Sequence, residues 1–148
     1  MSDTYLRCVP TLSTFIPEET AGSRAEKFLQ QILDAESIES RSTARVEFVD
    51  AGSNWDGVFC PKCGANAESW WGDAMSAAAE EGFENLTVRA KCCRTDVGLN
   101  DLRYGWPVAF GRYVLEAANP LADGLSQNAL DELGRLLGSP VREIKCHV

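Results

Sequence analysis

The chain has 148 residues, 45% of them hydrophobic and 24% charged, which suits one domain or one domain carrying an inserted module. Its net charge of −8 argues against gripping a phosphate backbone or an anionic membrane surface, since such affinity comes from Lys and Arg neutralising phosphates; it permits a basic protein partner. No apolar run approaches the roughly 18 residues of a membrane span, and Met1–Arg7 lacks the basic-then-apolar pattern of a secretion signal. A cytoplasmic protein with reduced thiols is therefore expected.

The first expected strand is Tyr5–Val9, with Leu6 and Cys8 on one face. Pro10 and Pro17 punctuate an extended stretch. A helix follows, entered through a capping box of Ser23 and Glu26 and carrying the stripe Phe28, Leu29, Ile32 and Leu33. The polar run Ser37–Thr43 reads as a loop, and Arg45–Asp50 as a second strand. Within residues 53–105, Ser69–Glu81 reads as a helix stopped near Gly82, and Leu86–Ala90 as a strand.

Regular alternation returns at Val108–Ala118, ended by Asn119-Pro120. Ser126 caps a helix with the stripe Ala129, Leu130, Leu133, Leu136 and Leu137, closed by Gly138 with Pro140 beyond. The last strand is Val141–Val148. With 53–105 set aside, the order is strand, helix, strand, strand, helix, strand. This predicts an α+β fold, a ferredoxin-like βαββαβ antiparallel sheet over 1–52 and 106–148, with 53–105 as an inserted zinc-ribbon-like segment. No internal repeat is visible in the sequence.

Cys60-Pro-Lys-Cys63-Gly64 is the strongest chemical signal. Two cysteines separated by two residues form a turn that presents both sulfurs to one ion, and a glycine after them permits positive φ. Zinc takes four ligands, and Cys92-Cys93 is the pair available to complete the set. Adjacent cysteines diverge in an extended chain, so both ligate only if the backbone turns between them. A three-cysteine site completed by Asp96 or His147, and an empty or redox-active site, are the alternatives. Four thiolates leave no open position, so the expected ion is one structural Zn2+. Cys8 and Cys146, on neighbouring first and last strands, read as buried free thiols pointing into one core. His147 reads as a surface residue.

Trp55, Cys60-Pro-Lys-Cys63-Gly64, Trp71, Cys92-Cys93, Leu99-Asn100-Asp101-Leu102, Tyr104, Trp106-Pro107, Phe110 and Arg112 together resemble the pattern of an uncharacterised family of small bacterial proteins. In that pattern a glycine follows the paired cysteines, where this chain has Arg94. The resemblance implies a zinc-binding domain and carries no activity.

The expected function is a protein-interaction module. Trp55, Trp70, Trp71, Tyr104 and Trp106 cluster around the cysteine segment, and aromatic residues are favoured interface anchors. Any single one of them reads better as packing around the metal, and exposure of two or more in one patch would mark an interface. Asn100, Asp101, Arg103, Tyr104 and Arg112 suggest a small enzyme in which Asp101 is a base and an arginine holds an anion, although Asn-Asp pairs also make turns. Arg89, Lys91, Arg94, Arg103 and Arg112 suggest a nucleic-acid-binding zinc ribbon, which the overall acidity opposes. Small size and acidity also fit an immunity-type inhibitor of a basic toxin.

Overall fold

The computed structural model describes residues 3–50 and 56–147. Its elements are β1 (Thr4–Pro10), α1 (Glu19–Ile32), β2 (Ser37–Asp50), β3 (Val58–Phe59), α2 (Glu68–Glu80), β4 (Thr87–Arg89), β5 (Asp96–Gly98), β6 (Arg103–Tyr104), β7 (Val108–Ala118), α3 (Gln127–Leu137) and β8 (Val141–His147). Four of the strands form one sheet in the order β2-β7-β1-β8, and every neighbouring pair is antiparallel. The fold is thus α+β. Among the described residues, no helix is long and apolar enough to cross a membrane.

The alternation along β7 divides the core in two. Tyr113, Leu115 and Ala117 face α1 and α3, where they meet Leu6, Cys8, Ala25, Leu29, Leu33, Leu133 and Leu137. Phe110 and Val114 face the other way, with Val9, Val46 and Ile144. That second face is covered by the segment between β2 and β7, whose Val58, Ala67, Trp70, Met75, Ala90, Val97, Leu99, Leu102 and Trp106 join the same cluster. The cysteine-bearing segment therefore shares its core with the sheet.

Local chemistry explains α3. Ser126 accepts a hydrogen bond from the Ala129 amide at 3.1 Å, and Gly138 ends the helix at φ 95° with its amide donating to Gly134 O. The start of α1 differs from the sequence expectation. The helix begins at Glu19, directly after Pro17-Glu18, so Ser23 lies within it and caps nothing. Gly22, Ala25 and Leu29 form its buried face, with Gly22 beside Tyr113, while Ile32 of the expected stripe is exposed.

Ser37–Thr43 also corrects the expectation. Residues 37–42 are strand, paired in register with β7 from Ser37↔Ala118 to Ser42↔Tyr113. β2 is an edge strand that leaves much of its surface in water, so polar residues are tolerated there. The irregular part is a bulge between Ser42 and Glu47, pinned where Arg112 Nε donates to Thr43 O at 2.9 Å.

Cys8 and Cys146 are both buried, but on opposite faces. Cys8 is opposite Glu143 and Cys146 is opposite Tyr5, so the two cysteines have opposite parity across the β1–β8 pair. The expectation that both enter one core fails because their strands are offset by an odd number of residues.

Candidate metal centre

The four cysteines of the inserted segment converge. The Sγ atoms of Cys60, Cys63, Cys92 and Cys93 all lie within 4.8 Å of one another, with Cys60–Cys93 at 3.8 Å and Cys63–Cys92 at 3.4 Å. This group could hold a metal ion. Neither alternative ligand joins it. Asp96 faces Arg89 Nε at 3.9 Å, and His147 Nδ1 sits 3.3 Å from Thr4 Oγ1 at the end of the sheet.

Two turns of the same design present the sulfurs. In the first, the Cys60 amide donates to Ala65 O and the Gly64 amide to Cys60 O, both at 2.9 Å. In the second, the Ala90 amide donates to Thr95 O at 2.9 Å and the Arg94 amide to Ala90 O at 2.7 Å. The flanking pairs match too: Phe59 bridges Asn66, as Arg89 pairs with Asp96. The turns correspond residue for residue, Cys60 with Ala90, Cys63 with Cys93, and Gly64 with Arg94. A conformational repeat therefore exists where the sequence shows none, because only Val58/Val88 and Cys63/Cys93 are identical between the two stretches.

This correspondence explains the adjacent cysteines. Cys93 occupies the regular second position. The regular first position holds Ala90, fully buried, and Cys92 supplies the fourth sulfur from the middle of the turn, at the place Lys62 takes in the first turn. The backbone turns through 91–93, so both thiols reach the same point. Arg94 takes φ 56°, the left-handed conformation that Gly64 adopts at φ 76°.

The proton chemistry favours a cation. Burial pushes the Cys60 thiol up, but amide donors of Cys63 and Lys62 and hydrogen bonds with the Cys92 and Cys63 thiols together bring it down to about 7. Desolvation, hydrogen bonds with Cys63 and Cys60, and the charge of those two sulfurs push Cys92 up to about 12. One thiolate is stabilised and the next is repelled, so complete ionisation of the cluster calls for a positive ion.

The aromatic residues are mostly packing. Trp70 and Trp106 are buried, only 3% and 5% exposed, so neither offers a face to a partner. Trp71 meets Trp106 at 6.0 Å and Phe48 at 6.2 Å, both edge to face, and Phe48 meets Phe110 at 5.1 Å across the β2–β7 pair. Trp71 Nε1 donates to Tyr104 Oη at 3.2 Å, and Tyr104 Oη donates to Leu99 O at 2.6 Å. These rings join the cysteine-bearing segment to the sheet. Trp55 lies outside the described residues.

The candidate catalytic residues do not converge. Arg112 is engaged at the β2 bulge, and Arg103 is exposed on β6. Asn100 and Asp101 sit in a 3-10 turn after β5, where Asn100 Oδ1 and Asp101 Oδ2 each lie 2.7 Å from where a Cβ on Gly98 would be. The turn thus folds these side chains over Gly98. They share a small cleft of about 180 Å³ with Arg142, which sequence reasoning did not single out and whose Nη1 donates to Val108 O.

Comparison with known proteins finds no match to this chain among family models, curated proteins or solved structures.

Proposed function

We propose that the chain is a cytoplasmic interaction module stabilised by one structural zinc ion, of the kind the sequence resemblance implies. The carrying observation is the cluster of four Sγ atoms within 4.8 Å, offered by two matched turns. Tetrahedral zinc with Zn–S near about 2.3 Å places its sulfurs roughly 3.8 Å apart, within the range found here. Four sulfurs fill the coordination sphere, which favours a structural over a catalytic ion. The sheet order β2-β7-β1-β8 supports a ferredoxin-like arrangement, and the paired turns support a zinc-ribbon-like insertion.

The exposed cations Lys62, Lys91 and Arg94 on the two turns favour an anionic contact, the nucleic-acid reading. A zinc ion with four thiolates carries two negative charges, however, and most of that local positive charge is offset. With the whole chain at −8, a protein partner remains the better reading.

Elemental analysis of the purified chain tests the metal. About one zinc per chain, lost in Cys60→Ser, supports the proposal; no metal and a Cys63–Cys92 disulfide overturn it. Co-purification with the tagged chain tests the role. A stoichiometric protein partner supports it, and nuclease-sensitive association overturns it.

A further inference from the structure

A second site lies on the helical side of the sheet, remote in the fold from the cysteines. The N-terminal part of α1 and the polar half of β2 enclose a cleft of about 510 Å³ lined by Glu18, Glu19, Glu26, Ser40, Arg41 and Tyr113. Its walls are polar at an edge strand, where packing alone asks for no such concavity.

Two observations give the cleft a charge preference. Arg41, the only cation lining it among the described residues, pairs with Glu47 Oε2 at 3.1 Å, which offsets its charge against the three carboxylates. Glu26 Oε1 accepts the Ser40 hydroxyl at 2.6 Å, which fixes the carboxylate and leaves its other lone pairs free.

Tyr113 supplies an independent pointer. Its residue is 5% exposed, it lines the cleft, and its hydroxyl makes no hydrogen bond among the described residues. Ser40 lies close enough to favour its ionisation, yet the Ser40 proton is committed to Glu26. Burial outweighs Ser40, and Glu26 and Cys8 add to burial, so the phenol stays neutral and can accept a hydrogen bond. A buried polar atom without a partner is destabilising, and a ligand donor would remove that cost.

We propose that this cleft binds an ammonium or guanidinium group, with Glu26 and Tyr113 as its inner acceptors and Glu18 and Glu19 at its mouth. The cation would enter as a free polyamine or as a Lys or Arg side chain of a peptide. The site is built from α1, β2 and β7 and does not depend on the metal. Gly22 holds the cleft open beside the phenol: a Cβ there would sit 3.4 Å from Tyr113 Oη.

Amide-shift titration of the full chain in about 150 mM NaCl tests this, a concentration at which contacts among exposed charges are strongly screened. The probes are putrescine and blocked Gly-Arg-Gly, with Gly-citrulline-Gly as the neutral control. Saturable shifts confined to Gly22, Ser23 and Ser40–Ser42 with either cationic probe, absent with citrulline, are expected; which probe binds identifies the source. Glu26→Gln and Tyr113→Phe should each weaken binding at least tenfold. Tyr113→Phe keeps the packed ring, so its melting temperature should hold or rise without ligand. Non-saturating shifts spread over the acidic surface, no shifts, or equal binding by the variants would overturn the proposal.

Discussion

Cys92 Sγ lies 3.4 Å from Cys63 Sγ although Cys92 stands where the matching turn has Lys62, and Ala90 stands where that turn has Cys60. The second turn has the shape of the first while bringing one of its two sulfurs from a different position. Cys92→Ser should therefore weaken metal binding by about 100-fold or more, since a ligand is lost. Adding Ala90→Cys to it should restore affinity to within tenfold, because Cys60 shows that a buried thiol fits at that position. Competition against a chromophoric chelator measures both. Unchanged affinity in Cys92→Ser would remove Cys92 from the ligand set.

Proton competition follows from the same cluster. Metal binding must displace the Cys92 proton throughout the neutral range, because that thiol is held up at about 12. Cys60, brought down to about 7, holds its proton only below that pH. Apparent affinity should fall as pH is lowered, and more steeply below about 7 than above it. For the metal-free chain, the Cys60 shift stabilises the fold above the ordinary thiol value near 9, and that stability is lost as pH falls to about 7. Affinity measured from pH 5.5 to 8.5 checks the first point; a flat profile would sink it.

Tyr104 is predicted to matter for stability and not for binding a partner. Its hydroxyl links Trp71 Nε1 to the carbonyl of the fully buried Leu99. Tyr104→Phe keeps the ring contacts with Trp71 and Trp106 and removes that link. A loss of about 1–2 kcal/mol is expected in chemical denaturation, with metal stoichiometry unchanged. A neutral result would mean that water replaces the hydroxyl at Leu99.

The alternation of Val108–Ala118 and the caps Ser126 and Gly138 were legible because each is a local signal with one physical cause. Cys60 and Cys63 were legible for the same reason. The strand at 37–42 was not, because an edge strand needs no alternation to pair. The burial of Trp70 and Trp106 was hidden as well: aromatic residues near a metal turn read alike whether they face the sheet or the solvent. Tyr113 and Glu26 carried no motif, and only the packing of α1 on β2 brings them together. The second turn was obscured most, since it repeats backbone hydrogen bonds and hardly any side chains.

Arg94 offers the sharpest test of that hidden repeat. A side chain in the left-handed region costs roughly 1 kcal/mol or more, and the matching residue in the first turn is Gly64. If the turns are equivalent, Arg94→Gly should raise stability of the metal-loaded protein by about 0.5–1 kcal/mol, the relief of strain exceeding the entropy a glycine loses on folding. Gly64→Arg should do the reverse by a similar amount, since nothing lies within 4 Å of a Cβ built at Gly64 and only backbone strain opposes it. Paired denaturation curves decide the matter. Destabilisation by Arg94→Gly would mean that the arginine side chain contributes more than its conformation costs, and that the second turn is held by contacts the first one lacks.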